Sequence, residues 1–300
     1  MKDRPKVYVI TGPTASGKSA LAIELARHLK TEIISADSRQ VYSGIPVSTA
    51  VPSIEERKGI THHLMEILDL TDYYSASLFE QQSLEIVNNL LREKGSAIIC
   101  GGSMLYIDSF CNGIDDLPTI PAEIRESLMT EWHEKGDDWL RSLLHNLDPK
   151  YWEIVDLRNM KRVFHAVEIC LTVNKPYSSL RTGRNVKRPF EIKKFCLDGP
   201  REQLFARINK RSLQMLESGL KEEAEKVYSL RHLNSLNTVG LKEMFAFFDG
   251  LLTLEEAISR IQKNTRVYAK KQLTWHKKDP SLTYLNFEDS PSKNIQLILQ

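Results

Sequence analysis

The sequence predicts an α/β fold: a parallel sheet around a phosphate-binding loop, interrupted by a small helical insertion and continued by a helical C-terminal region. Three observations lead there. The apolar run Val7-Tyr8-Val9-Ile10 enters Gly12-Pro13-Thr14-Ala15-Ser16-Gly17-Lys18-Ser19 and leaves through Ala20-Leu21-Ala22-Ile23-Glu24-Leu25-Ala26, which reads as strand, glycine-rich turn and helix. Further short apolar runs alternate with segments of helical periodicity, the pattern of parallel strands joined by helices. From about residue 115 the chain becomes polar and helical, and the strand pattern returns only near residue 191.

The first turn carries the most chemistry. In the pattern G-x-x-x-x-G-K-S successive backbone N–H groups point inward, the following helix N-terminus adds positive potential, Lys18 reaches bridging oxygens and Ser19 is placed to ligate Mg²⁺. Such a loop holds a diphosphate or longer, as in ATP-binding proteins, without specifying whether a phosphoryl group moves. A second strand, 32–36, ends at Asp37-Ser38-Arg39-Gln40-Val41-Tyr42. Carboxyl ends of parallel strands line the ligand crevice, so Asp37 is expected beside the phosphate loop. Segment 62–69 reads as a short strand or its approach, and the adjacent His62 and His63 suit a structural role better than a metal site.

A helix is expected over 77–92 and a buried strand over 97–100, followed by Gly101-Gly102-Ser103-Met104-Leu105-Tyr106. Many P-loop NTPases place an acidic metal ligand where this chain has Gly-Gly. A linker over 115–121 leads to two polar helices within 122–147 around Trp132, Trp139 and Leu143. The predicted organisation is therefore a first core segment 1–114, a helical insertion and candidate lid 115–157, and a second core segment with a basic helical C-terminal region 158–300. In that last segment the reading gives a helix over 159–172, a basic loop over 176–188 and a last strand over 191–198. Helices follow over 201–216, 220–230, 241–248 and 254–275.

With 41% apolar and 27% charged residues, the 300-residue chain has the composition of an ordinary soluble globular protein. The net charge of +2 conceals an asymmetry: residues 181–280 hold 21 Lys+Arg against 12 Asp+Glu, a net of +9, and the remainder hold 20 against 27, a net of −7. The C-terminal third is thus a candidate polyanion surface. Cys100, Cys111, Cys170 and Cys196 show no C-x-x-C spacing, which points away from zinc and disulfide frameworks and toward a reducing cytoplasm. The first strand begins too soon for a signal peptide, and no apolar run approaches the ~18 residues that span a bilayer.

The phosphate loop, Asp37-Ser38-x-Gln40-x-Tyr42, Gly101-Gly102-Ser103-Met104-Leu105-Tyr106, Arg207-x-x-x-Arg211 with Met215-Leu216-x-x-Gly219-Leu220, Val239-Gly240, and Lys271-Gln272-Leu273-Thr274-Trp275 occur in this order. The set closely resembles the tRNA dimethylallyltransferases, the bacterial MiaA family, over residues 7 to about 278. The resemblance implies a nucleotide-kinase-like core with an inserted helical domain. It also implies transfer of a dimethylallyl group from dimethylallyl diphosphate to N6 of the adenosine 3′ to the anticodon, with Mg²⁺ on the diphosphate. Asp37 is then the general base or orienting acceptor for N6–H, and Ser103, where the family usually has Thr, contacts the diphosphate or the target nucleotide. Arg211 is the leaving-group arginine, with Arg207 as the alternative on the same helical face. The same resemblance implies tRNA contacts from Asp37, Ser38, Arg39, Gln40, Ser103, Arg125, Lys161, Arg162, Lys270, Lys271 and Trp275, and phosphate contacts from Arg266, Lys277 and Lys278. His165, Val239-Gly240-Leu241-Lys242-Glu243 and Ser48-Thr49-Ala50-Val51-Pro52 depart from the commonest family pattern, chiefly among RNA-facing groups. A monomer acting on the anticodon stem-loop, with no membrane partner, is expected.

Two alternatives remain open from the residues. A small-molecule or nucleoside kinase shares the loop and an acid near the second strand, but it lacks the basic helical third. An isopentenyltransferase acting on free adenine nucleotides keeps the chemistry and changes the acceptor. Trp275 is equally readable as a stacking platform and as a core aromatic.

Overall fold

The computed structural model describes residues 4–115, 117–183 and 185–300. Asp116 of the expected linker and Arg184 of the expected basic loop lie outside the described residues. In chain order the elements are β1 (Lys6–Thr11), α1 (Lys18–Leu29), β2 (Ile33–Ser35), α2 (Pro46–Thr49), α3 (Ile54–Arg57), β3 (His62–His63), α4 (Ala76–Lys94), β4 (Ser96–Cys100) and α5 (Met104–Asn112). Then come α6 (Ala122–Leu147), α7 (Pro149–Trp152), α8 (Met160–Val173) and α9 (Tyr177–Leu180). The chain ends with β5 (Glu191–Asp198), α10 (Arg201–Glu217), α11 (Leu220–Lys226), α12 (Leu241–Phe248), α13 (Leu254–His276), β6 (Leu282–Asn286) and α14 (Pro291–Leu299).

The strands form one sheet in the order β3-β2-β4-β1-β5-β6, and every pairing is parallel. Helices therefore cover its faces, and the central strands read as unbroken apolar runs: Val7, Val9, Ile10, Ile34, Ile98 and Ile99 are fully buried. Each such side chain contributes roughly 1.5–3 kcal/mol by leaving water. The parallel register also gathers the carboxyl ends of β1, β2 and β4 at one edge, because Ile10 pairs with Cys100 and Ser35 pairs with the same Cys100. Helix α1 packs Leu21, Ala22, Leu25 and Ala26 into this core, at the spacing of one helical face. Helix α4 starts where the Ser75 hydroxyl accepts from Leu78 N–H and stops at Gly95, whose φ of 76° suits a left-handed C-cap. Helix α13 opens with a capping box in which Thr253 and Glu256 satisfy each other's backbone N–H groups.

The chain divides into two compact units, Asn112–Lys187 and the remainder. The helical unit has its own core of Leu128, Leu140, Leu144, Val163, Phe164, Val167 and Cys170. Its long helix α6 breaks at Gly136, where φ is 80° and ψ is −179°, so 122–147 is two helical halves. The structure draws the boundary elsewhere than residue 157: α8 was expected in the core, but its apolar face packs on α6 inside the helical unit.

Three further differences have local causes. Strand β5 is not the last, because β6 pairs with it from Lys194↔Leu282 to Asp198↔Asn286. Strand β6 buries only Leu285, so its sequence lacks the apolar run that marks the inner strands. The 220–230 helix ends at Lys226 and closes with a 3₁₀ turn over Tyr228–Leu230, and the 176–188 loop holds the short helix α9.

Candidate active site

Three turns meet at the carboxyl edge of the sheet. After β1 comes the phosphate loop, whose helix α1 is capped by Gly17 with no side-chain hydrogen bond, so the first-turn N–H groups keep the anion-binding character of a bare helix N-terminus. The Ser16 hydroxyl in this loop is 1% exposed and has no hydrogen-bond partner among the described residues. Lys18 is half-buried, its ammonium 3.4 Å from Pro13 O, and the Ser19 side chain is exposed at the start of α1. Burial pulls the Lys18 pKa below its ordinary value, the nearby Arg211 charge acts in the same direction, and Asp37 opposes them. Burial likewise lowers Arg211, and Asp37 opposes that shift. Lys18 and Arg211 are thus two desolvated cations within electrostatic reach of the Asp37 carboxylate.

After β2 the chain turns at Asp37. Its Oδ1 accepts from Arg39 N–H at 2.9 Å, leaving the other oxygen for a further donor. After β4 comes Gly101-Gly102-Ser103. Two backbone bonds lock this turn onto the end of β2: Ala36 N–H donates to Cys100 O at 2.8 Å and Ser103 N–H donates to Ala36 O at 3.1 Å. The Ser103 hydroxyl is buried and accepts from Ser38 N–H at 2.8 Å. The glycines are needed for close approach, since a Cβ on Gly101 would stand 2.0 Å from Ala36 O and one on Gly102 would stand 2.5 Å from the Gln272 amide. That requirement accounts for Gly-Gly where many P-loop NTPases carry an acidic metal ligand.

Helix α10 brings both arginines to the phosphate loop: Arg211 Nη1 donates to Thr14 Oγ1 at 3.3 Å, and Arg207 lies 3.4 Å from Ser16 O while stacking 4.2 Å from the Phe287 ring centroid. Helix α13 shows a division of labour. Ala269 is buried in the core and Gln272 and His276 are buried toward the turns, whereas Lys270, Lys271, Thr274 and Trp275, and Lys278 just past the helix end, are exposed. Trp275 is 40% exposed, which resolves the core-or-surface alternative toward the surface. With Met104, Val267, Lys270, Lys271 and Lys278 it lines a groove of about 340 Å³. Arg266, expected on phosphate, donates to Asn209 Oδ1 at 2.6 Å, and Lys277 is exposed at the end of α13.

Other expected residues have internal partners. Gln40 donates to Thr49 O and Ala50 O and accepts from Ser35 Oγ, so its amide holds the turn after α2. Arg39 donates to Asn234 O at 2.7 Å. Arg125, Lys161 and Arg162 belong to the helical unit; Arg125 makes a bidentate pair with the buried Glu168, and the two α8 residues are exposed. His62 and His63 bond to Ile60 O and Glu32, and no group of three potential metal ligands occurs among the described His, Cys, Asp and Glu.

The sequence assigns no role to Gln272, which appears there only within the Lys271–Trp275 motif, and does not mark out His276 or Tyr268. Gln272 Oε1 accepts from Thr14 N–H and its Nε2 donates to Gly102 O, both at 2.9 Å. Thr11 Oγ1 donates to Gly101 O at 3.1 Å, so it accepts from Nε2–H of His276 at 3.0 Å; the free Nδ1 then faces the Cys196 thiol at 3.4 Å. Burial pushes the His276 pKa down to about 4, aided by Lys18, and pushes the Cys196 thiol up to about 12, so both are neutral near pH 7. Burial, with Asp37 nearby, pushes the Tyr268 phenol up to about 12. The available signal was helical spacing: Gln272 and His276 are four apart and opposite the lysines.

A family model described as IPP transferase matches residues 40–279. Similar curated proteins include tRNA dimethylallyltransferase 2 of Azobacteroides pseudotrichonymphae, 47% identical over 93% of this chain and 91% of that protein. Another is tRNA dimethylallyltransferase 1 of Bacteroides thetaiotaomicron, 46% identical over 95% and 92%. Among solved structures, a tRNA isopentenylpyrophosphate transferase from Staphylococcus epidermidis aligns with TM-score 0.71 and 31% identity over 99% of this chain and 98% of its own. A eukaryotic dimethylallyltransferase acting on tRNA aligns with TM-score 0.79 and 27% identity over 94% and 74%.

Proposed function

The chain belongs to the IPP transferase family, that of the tRNA dimethylallyltransferases, and from that premise we propose that it moves the dimethylallyl group of dimethylallyl diphosphate to N6 of the adenosine 3′-adjacent to the anticodon of tRNA, releasing diphosphate. The observation that carries this reading is the meeting of a diphosphate-type loop, the Asp37 turn and Ser103 at one sheet edge. A kinase-like cradle then serves to hold a leaving group.

In the reaction the C–O bond to diphosphate breaks, the oxygen keeps the electron pair, and a C–N bond forms to N6. Lys18 and Arg211 stabilise the charge that develops on the leaving oxygens, and their partial desolvation strengthens that effect. The Ser16 hydroxyl, buried without a partner, supplies a donor inside the loop. An exocyclic amine is a poor nucleophile until it loses a proton, and the Asp37 oxygen not used by Arg39 N–H accepts that proton. Ser103 fixes the Asp37 turn through Ser38 N–H. The exposed Ser19 hydroxyl at the start of α1 is the protein oxygen that would hold Mg²⁺ on a bound diphosphate, and the ion would neutralise charge on the leaving group.

A stacked adenine cannot reach such an edge, so the target base is flipped out of the anticodon loop. Lys270, Lys271 and Lys278 meet the RNA backbone, and Trp275 offers a stacking face in the groove between them. Ser38 and Arg39 follow Asp37 directly in its turn, and within the helical unit Lys161, Arg162 and Arg125 are further tRNA contacts of this reading. We place the monomeric enzyme in the cytoplasm, where its four free, buried cysteines stay reduced. No helix among the described residues is long and apolar enough to cross a membrane.

The test is transfer of radiolabelled dimethylallyl from its diphosphate to total tRNA. Label in tRNA that disappears with Lys18→Ala is expected; labelling unaffected by Lys18→Ala overturns the leaving-group assignment.

A further inference from the structure

Gln272 sits 1% exposed on α13 between the two halves of the site, and both ends of its amide are used. Its oxygen takes the Thr14 N–H of the phosphate loop at 2.9 Å, and the Thr14 hydroxyl in turn receives Arg211 Nη1 at 3.3 Å. Its nitrogen donates at 2.9 Å to Gly102 O, one residue before Ser103, whose hydroxyl receives the N–H of Ser38 beside Asp37. The absent Cβ of Gly102 leaves the space this amide fills, because a Cβ there would stand 2.5 Å from Nε2. One side chain thus spans the loop that holds the leaving group and the turn that holds the acceptor-side carboxylate. Its neighbours Lys270 and Lys271 face outward on the same helix.

We propose that Gln272 is a positioning residue for the transfer reaction: it sets the separation of the phosphate loop from the Asp37–Ser103 turn, touching neither substrate. The assignment rests on the proposed prenyl-transfer function. Only an amide of this length meets both demands. Glutamate keeps the acceptor and loses the donor, methionine fills the volume and loses both, and asparagine is one methylene short. Reacting atoms displaced by about 1 Å lose as much as 10²-fold in rate, so a slackened tie should register in turnover and leave tRNA affinity alone.

The experiment compares Gln272→Met and Gln272→Glu with the wild-type chain, each also in a Ser103→Ala background. It reads single-turnover transfer, the KM for tRNA, and binding of inorganic diphosphate. Expected for Gln272→Met is a turnover loss of about tenfold or more with the tRNA KM within about twofold, and for Gln272→Glu an intermediate loss. In the Ser103→Ala background the Gln272→Met loss should shrink at least about threefold, because part of its route to Asp37 is already cut. Wild-type turnover in both variants overturns the proposal, as do equal fold-losses in the two backgrounds, which a merely structural role would produce. If Gln272→Met fails to fold, Gln272→Glu carries the test by the same criteria. Absence of transfer by the wild-type chain would instead remove the proposed function itself.

Discussion

Replacing Gly101 by alanine tests the geometry of the site at its tightest point. The added Cβ would lie 2.0 Å from Ala36 O, 2.3 Å from Ala36 C and 2.7 Å from Ala36 Cα, all backbone atoms with no rotamer to yield. Ordinary contact begins at 3.4 Å, so the ends of β2 and β4 must separate by about 1.4 Å. That movement breaks the Ser103 N–H to Ala36 O bond, and Asp37, the next residue after Ala36, moves with it. Overpacking of a filled site costs roughly 1–3 kcal/mol, and a lost backbone hydrogen bond adds about 1 kcal/mol, so the expected destabilisation is about 2–4 kcal/mol. Displacement of the acceptor carboxylate by about 1 Å should lower single-turnover transfer on the order of 10²-fold. Urea unfolding gives the first quantity and single-turnover transfer to tRNA the second. A Gly101→Ala chain with a midpoint and a rate both like the wild type would refute the argument that this glycine exists for close approach.

Two further outcomes follow from the same site. Asp37→Ala should lower turnover by more than about 10²-fold with tRNA affinity changed less than about threefold; equal losses in both would remove the carboxylate from the chemistry. His276 titrates near 4 in the folded chain against 6.5 for the free side chain, so between those values the unfolded chain binds more protons. Its contribution is present in full above pH 6.5 and is lost as pH falls toward 4, about 3 kcal/mol at most. His276→Gln should flatten the pH dependence of unfolding in that window, and an unchanged slope would place the titration elsewhere.

What the sequence revealed, and what it concealed, divides along physical lines. The phosphate loop and inner strands were legible because all their determinants are local: apolar runs for strands buried on both faces, and a fixed glycine spacing for the turn. Strand β6 was missed because an edge strand burying only Leu285 has no such run. The apolar face of α8 was visible, but periodicity says that a face is buried, not against which partner, and α8 joined the helical unit. At the site, Asp37 and Ser103 could be placed by strand order. The charge of Arg39 and Arg125 said nothing of the carbonyls and carboxylate that engage them. Gln272 and His276 owe their roles to contacts reaching across hundreds of residues of chain, to Thr14 and Thr11, and no local pattern encodes those.

The central claim is that a phosphate loop here releases diphosphate and transfers no phosphoryl group. It is tested most directly by one reaction containing the purified chain, labelled dimethylallyl diphosphate, tRNA and ATP, followed for label in adenosine, free diphosphate and ATP hydrolysis. The account predicts label on adenosine N6 in one-to-one proportion with diphosphate released, and unchanged ATP. Phosphate transferred from ATP with unlabelled tRNA would contradict it.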